Sequence, residues 1–211
     1  MKSNFAAMRA YCEAHTSPPS KVLYELERET HLKTLAPQML SGRLQGQFFS
    51  FLSKIYRPKT ILEIGTFTGY SAICLSEGLA EGGVLHTIEA NPELEQLIRK
   101  YIGKAGLEDK IVLHIGQAAA IIPSLQLEWD LVFIDANKQQ NALFYDLIFE
   151  KVKPGGIIVV DNVLWSGKVI TNAKDEDTQL IRAFNDKVNQ DERVENMILP
   201  IRDGILIARK R

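Results

Sequence analysis

Three polar residues, each just after a short apolar run, are the best placed in this chain to do chemistry: Asp135 follows residues 131–134, and Asp161 with Asn162 follows 157–160. Side chains leaving the carboxyl ends of neighbouring parallel strands, about 4.8 Å apart, can converge on one point. Two carboxylates and an amide oxygen are hard ligands. They suit magnesium, with manganese or calcium as alternatives, and suit zinc poorly because zinc prefers His and Cys. Three protein oxygens leave coordination positions for water or substrate oxygens. The plain alternative is that the two aspartates simply cap strand ends. Lys138, three residues beyond Asp135, is either a base beside this cluster or an ordinary lysine at a helix start.

A second set surrounds the stretch Glu63-Ile64-Gly65-Thr66-Phe67-Thr68-Gly69-Tyr70-Ser71, which passes from strand chemistry to a glycine-bearing turn and then to helix chemistry. Gly65 and Gly69 let backbone approach a ligand, and a helix starting near Tyr70 or Ser71 points unpaired amides at the same space. Glu89, at the end of the next apolar run, is placed to accept both hydroxyls of a ribose. A pyrophosphate site needs Gly-x-Gly-x-x-Gly, whereas here Thr66 stands where the middle glycine is out of register, so a nucleoside without phosphate is expected. Glu63 points the same way, since a carboxylate there repels phosphate and can receive an ammonium group. S-adenosylmethionine, with adenine, ribose and an amino-acid tail, meets these demands. The competing reading is a strand-to-helix turn that merely needs its glycines.

These groups require a frame that brings strand ends together. Short apolar runs recur at 60–64, 84–88, 111–115, 131–134 and 157–160, too short for helices and several rich in β-branched residues. Between them lie helical patterns. Residues 91–104 open with Asn91 as cap and Pro92 in the first turn, with Leu94, Leu97, Ile98 and Tyr101 inward. Residues 140–152 carry Leu143, Phe144, Leu147 and Ile148 inward and stop before Pro154-Gly155-Gly156. Strand and helix alternating in this way predict an α/β fold with a doubly wound, mostly parallel sheet, whose ligands bind beyond the strands' carboxyl ends. A helix over 178–188 precedes runs at 194–199 and 205–208, which flank Ile201-Arg202-Asp203-Gly204 and predict an antiparallel C-terminal hairpin. Ahead of the sheet, N-terminal helices are expected. One covers 21–33 after Ser17-Pro18-Pro19-Ser20, and another turns Leu44, Phe48, Phe51, Leu52 and Ile55 to one face.

Global properties narrow the classes. A chain of 211 residues, 45% hydrophobic, can bury one sizeable core, and a single domain is expected, a helical cap over 1–57 and a Rossmann-like core over 58–211. A formal charge of −1 gives no reason to expect nucleic acid or a membrane surface as partner. No apolar stretch approaches the roughly 20 residues of a membrane span, and Arg9 and Glu13 interrupt any signal-peptide core, so a cytoplasmic protein is the default. Cys12 and Cys74 are too few and too far apart for a metal knuckle and read as buried or neutral thiols. His15, His31, His86 and His114 read as structural, Phe48, Phe49 and Phe51 as packing of the N-terminal helix, and Lys174-Asp175-Glu176-Asp177 as a solvated loop.

Taken together, the 63–71 stretch, Phe133-Ile134-Asp135-Ala136-Asn137-Lys138 and Asp161-Asn162-Val163-Leu164-Trp165-Ser166-Gly167 resemble the cation-dependent O-methyltransferases, the group of caffeoyl-CoA and catechol O-methyltransferases. The resemblance covers residues from about 30 to 211. It implies a class I methyltransferase fold of seven strands with the last antiparallel, S-adenosylmethionine as donor, a vicinal dihydroxy phenol as small-molecule acceptor, and a homodimer. Carried over by position, it implies that Met39, Ser41, Glu63, Gly65, Thr66, Ser71, Glu89, Ala118 and Asp135 surround the donor. Asp135, Asp161 and Asn162 would hold a divalent cation, Lys138 would act as base, and Trp165 would lie against the acceptor ring. Two departures stand out: Asn137 replaces a common aspartate, and Ser41-Gly42-Arg43-Leu44-Gln45 replaces the usual Ser-Pro segment before Gly46-Gln47. A nicotinamide-dependent oxidoreductase and a non-catalytic adenosyl-binding interaction protein are the competing classes. The first would want a glycine-rich pyrophosphate loop and leaves Asp161-Asn162 unexplained.

Overall fold

Parallel strands covered by helices on both faces are buried, as the central runs 61–64, 131–134 and 158–160 are here, while the edge run 111–115 is largely half-exposed. The computed structural model describes residues 2–211, with side chains from residue 6 onward. Among the described residues seven strands form one sheet: β1 (Thr60–Ile64), β2 (Val84–Glu89), β3 (Ile111–Ile115), β4 (Trp129–Ile134), β5 (Val152–Asp161), β6 (Val194–Leu199) and β7 (Ile205–Lys210). Their order is β3-β2-β1-β4-β5-β7-β6, and β7 alone runs antiparallel to its neighbours. The chain adds strands outward from β1 to β3 and then returns to β4 on the other side of β1. The switch point, where such sheets bind ligands, therefore lies between β1 and β4.

Among the described residues there are eight α-helices, α1 (Lys2–Ala14), α2 (Lys21–Lys33), α3 (Gly42–Tyr56), α4 (Tyr70–Ser76), α5 (Glu95–Lys104), α6 (Ala118–Ser124), α7 (Asn141–Phe149) and α8 (Glu176–Asn189), and all but α1, which rests on α3, cover the sheet. Ile122, Phe144, Ile148 and Phe184 of α6 to α8 pack on one face with Leu62, Val132 and Val160. On the other, Leu26, Phe49, Ile73 and Ile98 of α2 to α5 pack with Ile61, Leu131 and Val159. The N-terminal helices thus share a core with the sheet. No described helix is long and apolar enough to cross a membrane.

Several expectations are corrected. α3 buries Gln45, Gly46, Phe49, Ser50 and Ser53, while Phe51 is 55% and Ile55 83% exposed. Phe48 and Leu52 only partly enter the core and Phe51 and Ile55 face out, because α3 lies close to α4: a β carbon on Gly46 would stand 2.6 Å from the Tyr70 ring. Leu143 is likewise exposed, because α7 turns Asn141, Phe144, Tyr145 and Ile148 inward. β5 starts at Val152 and runs through Pro154-Gly155-Gly156, the extra residues being absorbed by a register shift against Trp129–Leu131 of β4. The run 174–177 is less a loop than a helix start: Asp175 caps α8 by accepting from the Thr178 amide at 3.2 Å. Cys12 is exposed and Cys74 buried. His86 and His114 face each other across β2 and β3, ring nitrogens 3.0 Å apart, and burial lowers both pKa values.

α3 is approached still more closely by the turn after α4, at Gly78, where a β carbon would lie 2.1 Å from the Ser53 carbonyl carbon and 2.2 Å from the Lys54 nitrogen. Backbone cannot yield as a side chain does. Gly78→Ala is expected to cost about 3 kcal/mol of stability, roughly a 6–12 °C drop in thermal midpoint for a chain of this size. Gly103→Ala, whose β carbon meets only the flexible Glu108 side chain at 3.2 Å, is the control. Differential scanning calorimetry of the two variants decides it, and equal midpoints would refute the steric account.

Candidate active site

A cavity of about 1080 Å³ opens at the carboxyl ends of five strands. Gly65 follows β1, Glu89 ends β2, Gly116 follows β3, Asp135 follows β4 and Asp161 ends β5, and all five line it. Met39, Ala118, Lys138, Asn162 and Trp165 line the same space. Ser41, Thr66 and Ser71 line a narrower adjoining cleft, which shares Met39, Gly65 and Asp135 with the cavity. Of the residues singled out from sequence for this site, Glu63 and Gly69 border neither.

The half formed by β1 to β3 is held by backbone amides. Glu89 accepts from the Phe67 N–H at 2.7 Å and from the Asn91 N–H at 2.8 Å, so its carboxylate is fixed before any ligand arrives. Phe67 adopts a left-handed φ of 51° to make that bond. Gly65 has φ 98°, and a β carbon there would fall 2.0 Å from the Asp135 carbonyl oxygen. Its glycine is demanded by the neighbouring loop as much as by a ligand.

Glu63 lies fully buried beneath the turn. Its Oε2 accepts from the Thr87 hydroxyl at 2.5 Å, and Thr87 in turn bonds Thr66. Its Oε1 has no hydrogen-bond partner among the described residues. Burial pushes the carboxyl up to about 8, the Ser71 and Thr87 hydroxyls oppose the shift, and the charges of Asp135 and Glu89 add to it. Near neutral pH it is mostly the uncharged acid, not the phosphate-repelling anion expected from sequence.

On the other half, Asp161 is buried, accepting from Gln45 Nε2 at 2.8 Å and from the Asn162 backbone N–H at 2.7 Å. Burial first, then the negative charge of Asp135, push its carboxyl up to about 6. The Asp161 and Asp135 carboxyls, with Asn162 beside them, are the residues here whose chemistry suits a hard divalent cation. Among the described residues no three His, Cys, Asp or Glu side chains gather as a metal cluster, so the set consists of two carboxyls and an amide. Lys138 Nζ stands 3.1 Å from Asp135 Oδ1 and 3.2 Å from the Ala136 carbonyl. Asn137 caps the turn Lys138–Gln140, its Oδ1 accepting from the Gln139 N–H.

The loop after β5 needs left-handed backbone at Asn162 (φ 61°), Trp165 (φ 48°) and Ser166 (φ 53°). The β6–β7 turn holds it there: Leu164 N–H donates to the Asp203 carbonyl at 2.8 Å and Ser166 N–H to the Asp203 side chain. Arg202 lines the cavity from the same turn and donates to Gln45 Oε1 at 2.7 Å. Sequence reasoning missed Gln45, Arg202 and Asp203, because Gln45 hid behind an apolar stripe that turned outward and the turn residues registered only as a bend.

Comparison with known proteins gives a consistent result. A family model described as O-methyltransferase matches residues 13–211. A probable caffeoyl-CoA O-methyltransferase 2 from Dictyostelium discoideum is 33% identical over 207 residues, covering 95% of this chain and 90% of that one. The solved O-methyltransferase from Bacillus cereus in complex with SAH is 30% identical with a TM-score of 0.90, covering all of both chains. An SAH-bound methyltransferase from Podospora anserina is 28% identical with a TM-score of 0.90, covering 99% of this chain and 96% of that one.

The buried Glu63 carboxyl carries a pH dependence. Its folded pKa, about 8, lies above the ordinary 4.5. The folded state therefore keeps a proton that the unfolded state has lost, and this contribution is present in full below 4.5 and lost as pH rises through 8. Glu63→Gln, uncharged at every pH, is expected to lie near wild type at pH 5 and to exceed it by about 10 °C or more in thermal midpoint near pH 8.5, at about 2–4 °C per kcal/mol. Midpoint curves that run parallel across this range would contradict the assignment.

Proposed function

The chain belongs to the O-methyltransferase family and is an S-adenosylmethionine-dependent O-methyltransferase, and from that premise we propose that it methylates one hydroxyl of a vicinal dihydroxy phenol with a divalent cation held by Asp135, Asp161 and Asn162. One observation carries the reading: these three residues close the same cavity that Gly65, Glu89 and Ala118 open from the other side. A site for an adenosyl donor and a set of hard oxygen ligands thus share one space, as transfer between a sulfonium methyl and a catechol oxygen requires.

In this reading the donor lies along the ends of β1 to β3. Glu89 takes the ribose hydroxyls, and Met39, Ser41, Gly65, Thr66, Ser71 and Ala118 surround the rest, with Glu63 supporting the turn from below. The cation, magnesium or alternatively manganese or calcium, supplies Lewis acidity that makes a neighbouring phenolic hydroxyl easier to deprotonate. Lys138 accepts that proton, the O–H bond breaking as an N–H bond forms at Nζ. Asp135, 3.1 Å away, then faces the ammonium. The phenolate oxygen bonds to the methyl carbon as the carbon–sulfur bond breaks, its electron pair staying on sulfur, and S-adenosylhomocysteine leaves. Opposite charges on sulfonium and phenolate cancel along this path, so alignment supplies much of the acceleration. Trp165 offers its ring to the acceptor. A homodimer belongs to the same reading, and the exposed Phe51 and Ile55 of α3 supply apolar surface for it.

Two measurements test this. Methyl transfer to catechol is expected to fall by at least about a hundredfold in EDTA and to return with magnesium or manganese, and full activity in chelator would remove the cation from the scheme. Lys138→Ala is expected to lower kcat by about a hundredfold or more with donor affinity kept. An unchanged kcat would reduce Lys138 to an ordinary helix-start lysine.

A further inference from the structure

We propose that Gln45 is a positioning residue for the cation seat, aiming the Asp161 carboxylate and tying it through Arg202 to the segment that carries Met39 and Ser41. The inference rests on the reading of Asp135, Asp161 and Asn162 as that seat. Gln45 lies on the inward face of α3, fully buried and 116 residues from Asp161 in sequence. Its Nε2 donates to Asp161 Oδ2 at 2.8 Å, and its Oε1 accepts from Arg202 Nη1 at 2.7 Å. A guanidinium can only donate, so the amide oxygen must face Arg202 and the amide nitrogen is left for the carboxylate. Asp161 Oδ1 accepts from the Asn162 N–H. Each carboxylate oxygen thus has one donor and keeps a further lone pair, and the group cannot rotate without breaking both bonds.

Arg202 extends the chain of contacts toward the donor. At φ 51° it also donates from Nη1 to the Ser41 carbonyl at 2.8 Å and from Nη2 to the Gln38 carbonyl at 3.2 Å. One guanidinium therefore braces the Gln45–Asp161 pair and the 38–41 backbone together. A buried amide between a carboxylate and a guanidinium adds nothing to apolar packing. Its geometry orients a ligand, and such partners typically change metal affinity tenfold to a hundredfold.

The test is Mn2+ binding to the full chain by electron paramagnetic resonance, with S-adenosylhomocysteine binding by calorimetry and thermal unfolding measured alongside. Gln45→Leu is expected to weaken Mn2+ binding by about tenfold or more while S-adenosylhomocysteine affinity stays within about threefold. Arg202→Ala is expected to weaken both. Unchanged Mn2+ affinity in Gln45→Leu overturns the role, and so does a parallel loss of Mn2+ affinity, S-adenosylhomocysteine affinity and thermal midpoint, which marks a merely structural residue. Wild-type protein that binds no Mn2+ overturns the cation seat itself, a separate result. Should Gln45→Leu fail to fold, Gln45→Asn, too short by one methylene to meet both partners, is judged by the same criteria.

Discussion

The approach of two loop backbones at the switch point governs the site. Gly65 sits so close to the Asp135 carbonyl that no β carbon fits between them, and its amide bonds back to Ile88 of β2 while the Asp135 amide bonds to Ile64 of β1. Three adjacent strand ends are thereby fixed to one another before any side chain is counted. The glycine turn after β1 and the Asp135 loop after β4 then hold a constant separation, which in-line methyl transfer demands. Bulk at residue 65 would push the two apart and disturb both.

Charge is the second constraint. Glu63, Glu89, Asp135 and Asp161 crowd the carboxyl ends of four neighbouring strands. The protein handles each differently. Glu63 is buried and mostly neutral, Glu89 is held by two backbone amides, Asp135 faces Lys138, and Asp161 is left raised with an amide donor. A sulfonium donor answers the remaining negative charge, so donor binding and electrostatic relief coincide.

Much of the frame was legible because hydrophobic period reports burial directly. β1, β3 and β6 and helix α2 lie where the apolar pattern placed them. Local patterns misled where packing was dictated by a neighbour. The stripe of α3 was real, yet the face that meets α4 had to be small, so Gly46, Ser50 and Ser53 went inward beside Phe49 while Phe51 and Ile55 went outward. In the site, Gly65, Glu89, Asp135 and Asp161 could be found because each terminates an apolar run. Gln45 and Arg202 could not, since their meaning depends on contacts that span the chain and leave no local signal.

The hairpin turn at 201–204 also orders events in time. Contacts of Arg202 and Asp203 with residues 38, 41, 45, 164 and 166 reach back across as many as 164 positions. As a chain emerges from the ribosome, the donor turn and its strands can pair long before residue 202 exists. The loop carrying Asn162 and Trp165 cannot acquire its left-handed course until that turn docks. The two halves of the cavity therefore close in sequence order, the β5 loop and the 38–45 segment being braced only once residues 202 and 203 are in place.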